Sequence, residues 1–207
     1  MKRKRIISFI AMILVVLFIP TIINAEEIAQ EVGKSIKLRW SYVENSKYTL
    51  LVNNGLSSSY GHYSGVNNAI TRLNNQSPSF IQVKSSSFSN SKVDIMVPAS
   101  SSWNTLASDA NAIATTIPKS TSGTFYYSYN DLPSSGTINI NYAMIWYNPE
   151  EVSTTATGRT GTAMHELMHC YGMGHPINYY NSMMNPTYAQ LNTTLTAYDL
   201  AEFSRMY

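Results

Sequence analysis

The sequence predicts a single mixed α/β domain, on three observations. Apolar and polar residues alternate through much of the first two thirds of the chain, the period of half-buried strands. That period gives way to i, i+3, i+4, i+7 spacing around residues 66–73, and helical stretches return near the C-terminal end. No internal repeat or long linker divides the 207 residues, a length that suits one domain. Composition agrees, because 44% of residues are hydrophobic and only 13% are charged, with Ser, Thr, Asn and Tyr supplying the polarity. Such a chain has the apolar content for a core and lacks the charge blocks of a disordered one.

The N-terminal 25 residues read as an address. Lys2, Arg3, Lys4 and Arg5 precede an apolar run from Ile6 to Ile19, then Pro20 and a small residue, Ala25. This is the order of a secretory signal peptide cleaved near Ala25, leaving residues 26–207 as one domain. The competing reading is an uncleaved anchor, since Ile6 to Ile23 is nearly long enough to span a bilayer; Pro20 interrupts the run and favours cleavage. Without the four leading basic residues, 10 basic residues face 12 acidic ones, which leaves no electrostatic footprint for nucleic acid. No later segment is apolar enough to span a membrane. The expectation is a secreted, soluble monomer.

Ile36, Leu38, Trp40 and Tyr42 alternate with polar residues and predict a first strand. Val66, Ala69, Ile70 and Leu73 mark one face of a helix that ends near Pro78. Phe80–Lys84 and Val93–Val97 read as strands, Trp103–Ile117 as a mixed loop and short helix, and Thr124–Tyr129 and Ile138–Tyr147 as further strands. Arg159–Tyr171 is helical by propensity, with Gly172 placed to stop it. Thr196 to Asp199 resembles a helix-starting cap, after which Leu200, Phe203 and Met206 line a terminal helix. Cys170, the single cysteine, excludes an internal disulfide.

Three of the four histidines fall within residues 165–175, His165-Glu166-Leu167-Met168-His169-Cys170-Tyr171-Gly172-Met173-Gly174-His175. One helical turn separates His165 from His169, so both imidazoles project from the same face and can hold one metal ion. Glu166 is displaced around the helix, where a carboxylate meets a metal-bound water rather than the metal. Gly172 permits the sharp reversal that returns His175 as a third ligand. Three neutral nitrogens leave zinc an open position for water, whose pKa falls to about 7, and a neighbouring base then makes attack on an amide feasible.

This extended motif resembles that of the metzincin metallopeptidases, and the resemblance continues in Ser182-Met183-Met184-Asn185-Pro186-Thr187-Tyr188. That segment is similar to the family's methionine turn, with Met184 in register, and Pro186 two residues later favours the matrixin branch over those with a zinc-reaching Tyr. Val93–Val97 and Leu195–Tyr207 are similar to a matrixin core strand and closing helix. The resemblance implies a zincin-like fold: a twisted, mostly parallel five-stranded sheet with an antiparallel edge strand and about three helices. The domain would divide near residue 175 into a larger N-terminal and a smaller C-terminal part (176–207). It also implies a zinc endopeptidase with His165, His169 and His175 as ligands, Glu166 as general base and Met184 beneath the metal. A peptide substrate would add along the edge strand, for which Ile138–Tyr147 is the candidate.

Departures from the family are equally legible. About ten residues between Ala25 and the first strand leave no room for a propeptide with a zinc-blocking Cys. His62 reads as a loop residue rather than a second zinc ligand, and the Asp-rich loops that would bind calcium are missing, so calcium is not expected. Cys170 reads as a small buried helix residue. Gly161, one turn before His165, is expected to leave a deep specificity pocket for a bulky apolar side chain. A second functional reading, from a different class, is a catalytically silent zinc-dependent module that binds extended peptides.

Overall fold

The computed structural model describes residues 35–107, 112–127, 131–150, 155–176 and 179–207. The proposed signal segment lies outside the described residues. Among those described, no helix is long and apolar enough to cross a membrane.

Strand β1 (Ser35–Trp40) is followed by a hairpin of β2 (Val43–Glu44) and β3 (Lys47–Asn54). Asn45 and Ser46 make its two-residue turn with φ of 50° and 61°, the left-handed pair that matches strand twist. Helix α1 (Tyr63–Gln76) crosses to β4 (Ile81–Ser85), which lies parallel to β3. Then come β5 (Val93–Met96), α2 (Ser100–Leu106), β6 (Ala114–Ser120) and the long β7 (Ser135–Tyr147). Helices α3 (Ala156–Cys170), α4 (Pro186–Leu191) and α5 (Ala197–Met206) complete the chain.

The sheet has seven strands, of which β4, β3, β5, β7 and β6 form a run in that order. Within it, β6 alone runs antiparallel to its neighbour, and it does so at the edge. This is the mixed, mostly parallel architecture expected, enlarged by β1 and β2 and with five helices among the described residues where about three were expected. β1 pairs with the first half of β7, Ser35 opposite Ser135 through Trp40 opposite Ile140. The second half of β7 is bonded to β5 and to β6. β7 is therefore interior, and the edge strand is β6, not Ile138–Tyr147.

Helices α1 and α3 cover one face of the sheet. Val66, Ala69 and Leu73 from α1 and Met164, Leu167 and Met168 from α3 are buried with Leu50, Ile95 and Ile145 of the strands. On the other face, Trp103 of α2 covers Ile117 and Trp146, with Phe125 and Tyr127 packed alongside. Thr124–Tyr127 is not a strand; Phe125 makes one bridge to Lys119, and residues 128 and 129 lie outside the described residues. Thr196 and Asp199 form a reciprocal capping box at the start of α5, as the sequence predicts.

Candidate metal centre

Helix α3 begins at Thr155, whose side chain accepts the Gly158 N–H at 2.9 Å, and carries His165 and His169 one turn apart. It ends at Cys170, and the chain reverses at Gly172, which adopts φ of +98°. A Cβ there would stand 2.1 Å from the Leu38 carbonyl oxygen, so glycine is required both by the conformation and by the contact with β1. The reversal brings His175 back. The three Nε2 atoms lie 3.0 Å (His165 to His169), 3.0 Å (His165 to His175) and 3.1 Å (His169 to His175) apart.

Hydrogen bonding identifies the tautomers. His165 Nδ1 is 2.7 Å from the Met183 carbonyl, and His169 Nδ1 is 2.7 Å from the Met173 carbonyl. A carbonyl only accepts, so each Nδ1 donates its proton and each Nε2 keeps a bare lone pair. Protonating the second nitrogen is opposed: burial lowers the pKa of His165 to about 3, that of His169 well below its ordinary value, and that of His175 downward. Two acceptor nitrogens thus face each other at 3.0 Å, an arrangement that repels unless a cation lies among them. Nitrogens bound about 2.0–2.1 Å from a tetrahedral zinc stand about 3.3 Å from one another, close to the spacing here. The three histidines are positioned to bind a metal ion, and imidazole donors suit zinc, copper, iron or nickel.

The support beneath His165 comes from α5. Asp199 is fully buried and accepts from the Ser182 hydroxyl (2.6 Å), the Met183 N–H (3.1 Å), the Thr196 N–H (2.8 Å) and the Thr196 hydroxyl (2.8 Å). Ser182 Oγ accepts in turn from the Met184 N–H at 3.0 Å. A hydrogen-bonded line therefore runs from Asp199 through the Ser182 hydroxyl to the peptide group joining Met183 and Met184, whose carbonyl faces the His165 ring and fixes its orientation. Met184, the sequence candidate for the turn, is buried in the main core, but the contact to the imidazole belongs to the Met183 backbone.

Glu166 projects toward the edge strand. It is 5% exposed, and its Oε2 accepts the Thr116 hydroxyl at 2.7 Å. Burial raises its pKa to about 7, and the Thr116 hydrogen bond opposes that rise. Cys170, one turn further along α3, is fully buried, and that burial pushes its thiol pKa well up.

One expectation is corrected here. Gly161 does not open a pocket: a Cβ there would stand 1.6 Å from the Ala189 carbonyl oxygen and 2.5 Å from that of Asn192. The missing side chain is what lets α4 seat against α3. His62 lies in the turn that leads into α1, as the loop reading has it, but its ring is fully buried, 4.5 Å from the Tyr147 ring centroid. Desolvation, with the nearby Arg159 charge, lowers its pKa to about 4. Sequence reasoning also missed Thr116, which sits on an unread strand, and the strut role of Asp199, which it read only as a cap.

A scan against protein-family models finds no match, and a search of curated proteins finds none either. Among solved structures, the crystal structure of myroilysin is similar at 17% identity and a TM-score of 0.31, over 80% of this chain and 64% of that one. The chain thus spans a little under two thirds of the length of that structure.

Proposed function

We propose that this chain is a secreted zinc endopeptidase of the matrixin-like metzincin type, acting as a monomer on protein or peptide substrates and neither on nucleic acid nor at a membrane once its signal segment is removed. The observation that carries the reading is the pair of bare imidazole nitrogens turned on each other at 3.0 Å, with Glu166 on the next residue and His175 closing the triangle. His165, His169 and His175 would hold the ion. Zinc bound there would supply a Lewis acid and a water acidified to about pKa 7.

Everything else falls to the chain. Glu166 takes the proton of the attacking water and returns it to the leaving amine. The Met183 and Met173 carbonyls keep two imidazoles in the metal-binding tautomer, and the Met184 side chain packs in the core beneath the turn. An extended peptide would lie along β6, the sheet edge nearest the base, rather than along β7.

The test loads the protein with zinc and compares the parent with Glu166→Gln on casein. The variant is expected to keep one zinc per chain and to lose at least about a hundredfold in cleavage rate. Equal cleavage by the two proteins would sink the mechanism, and peptide binding without turnover by the parent would select the silent binding module instead.

A further inference from the structure

We infer that Thr116 is a positioning residue that ties the sheet edge to the general base, so that the strand receiving the substrate also aims Glu166. The inference rests on the endopeptidase reading above and adds to it a residue outside the metal-binding helix.

Backbone direction along β6 can be read from its hydrogen bonds. The Ile113 carbonyl accepts the Asn148 N–H at 2.9 Å on the β7 side, whereas the Pro118 carbonyl accepts the Tyr126 N–H at 3.0 Å on the opposite side. Backbone groups alternate along a strand, so Ala114, Thr116 and Pro118 direct theirs outward, away from β7. The segment around Tyr126 lies against the outer edge at Pro118. Thr116, two residues earlier, presents its N–H and C=O to the same edge. Perpendicular to that edge, its side chain points at α3 and touches Glu166 twice, Oε2 at 2.7 Å and the backbone carbonyl at 3.0 Å.

Proton counting gives the direction. A threonine hydroxyl has one proton, and both Glu166 atoms are acceptors, so the shorter, charge-assisted bond to Oε2 takes it. Anchoring Oε2 stops the carboxylate from rotating and leaves Oε1 as the atom that exchanges a proton with the reacting water. Because the Thr116 main chain would be gripped by a docked peptide, a shift of the edge strand on docking would be transmitted to the carboxylate through a single residue.

The experiment compares Thr116→Val, which keeps the shape and removes the hydroxyl, with Thr116→Ser, which keeps the hydroxyl and removes the methyl group. Each zinc-loaded protein is assayed on a quenched fluorescent peptide containing a bond that the parent cleaves in casein, with zinc content measured alongside. The valine variant is expected to lose about tenfold or more in kcat with KM within about twofold and zinc unchanged, and the serine variant to stay within about threefold of the parent. Thr116→Ala is the second hydroxyl-free variant should valine not fold, with the same loss expected. In a Glu166→Gln background the valine change should have no further effect on kcat. A hydroxyl-free variant with parental kcat, or a serine variant as impaired as valine, would overturn the inference and leave the endopeptidase reading standing. A zinc-loaded parent that leaves casein and peptides intact would overturn both.

Discussion

Replacing Asp199 by alanine should loosen the metal centre from a distance. The carboxylate accepts four hydrogen bonds, three of them at one oxygen, and is wholly buried. Its removal leaves the buried Met183 N–H without an acceptor, at about 1–3 kcal/mol, and takes the capping-box acceptor from the Thr196 N–H, at about 1 kcal/mol, while the Thr196 side chain still caps α5. The two hydroxyls can rotate to other partners and contribute less. Together these give a destabilisation of about 2–4 kcal/mol, or a fall in Tm of roughly 10 °C for a domain of this size. Asp199→Asn should be much milder, because an amide oxygen can serve the three donors at one side while its NH2 donates to Ser182 Oγ. The same order should appear in zinc affinity, because Asp199, directly and through Ser182, holds the Met183 backbone whose carbonyl orients His165: about 10–100-fold weaker for alanine. Urea unfolding of the chelated protein and a chelator competition for zinc measure the two effects separately. Alanine and asparagine variants that match in both stability and zinc affinity would refute the idea of a strut.

Three further outcomes are expected. Gly161→Ala forces a methyl group to within 1.6 Å of the Ala189 carbonyl oxygen; moving α4 away should cost about 3 kcal/mol in urea unfolding, and an unchanged midpoint would show that α4 is not seated as described. Chelation should lower the Tm by roughly 5–10 °C relative to protein in a hundredfold excess of zinc over its dissociation constant, since the ion binds only the folded triad; a Tm insensitive to chelator counts against a metal centre. His62 has a folded pKa of about 4, below its ordinary 6.5, so protons bind the unfolded chain first. Its contribution is present above pH 6.5 and is lost as pH falls toward 4, by about 3 kcal/mol. A His62→Phe variant of the chelated protein should show a correspondingly flatter stability profile over that window, and parallel profiles would contradict the burial argument.

Local chemistry was readable where one residue type decides the backbone. Gly172, the α5 capping box and the face shared by His165 and His169 follow from spacing alone, and the structure brings those residues together. Strand β6 was not readable, because Pro118 lies inside it and argues against a strand. Its outward orientation explains the exception: the N–H that proline lacks would have pointed off the sheet edge, where β7 does not need it. β3 was missed for the opposite reason. Leu50 is buried and Leu51 half-buried between layers, so the strand lacks the alternation that marks a half-solvated one. Helix α4, at six residues, is too short to show a period. Gly161 was misread because a small residue next to a site permits either a cavity or a close approach, and only the position of α4 decides which.

The reach of β7 bears on how the molecule comes into being. Ser35 pairs with Ser135 and Trp40 with Ile140, so the first described strand finds its place only against a partner about a hundred residues later in the chain. Pairings of such separation close large loops before they gain any contact energy, and they slow folding accordingly. Leu38 of that same strand packs against Gly172, where the chain turns back toward His175. A nascent chain therefore displays its histidines in sequence well before the turn that gathers them has a surface to lean on. The rate at which metal-binding competence appears after synthesis should follow the slow docking of the N-terminal strand rather than the fast formation of the helix.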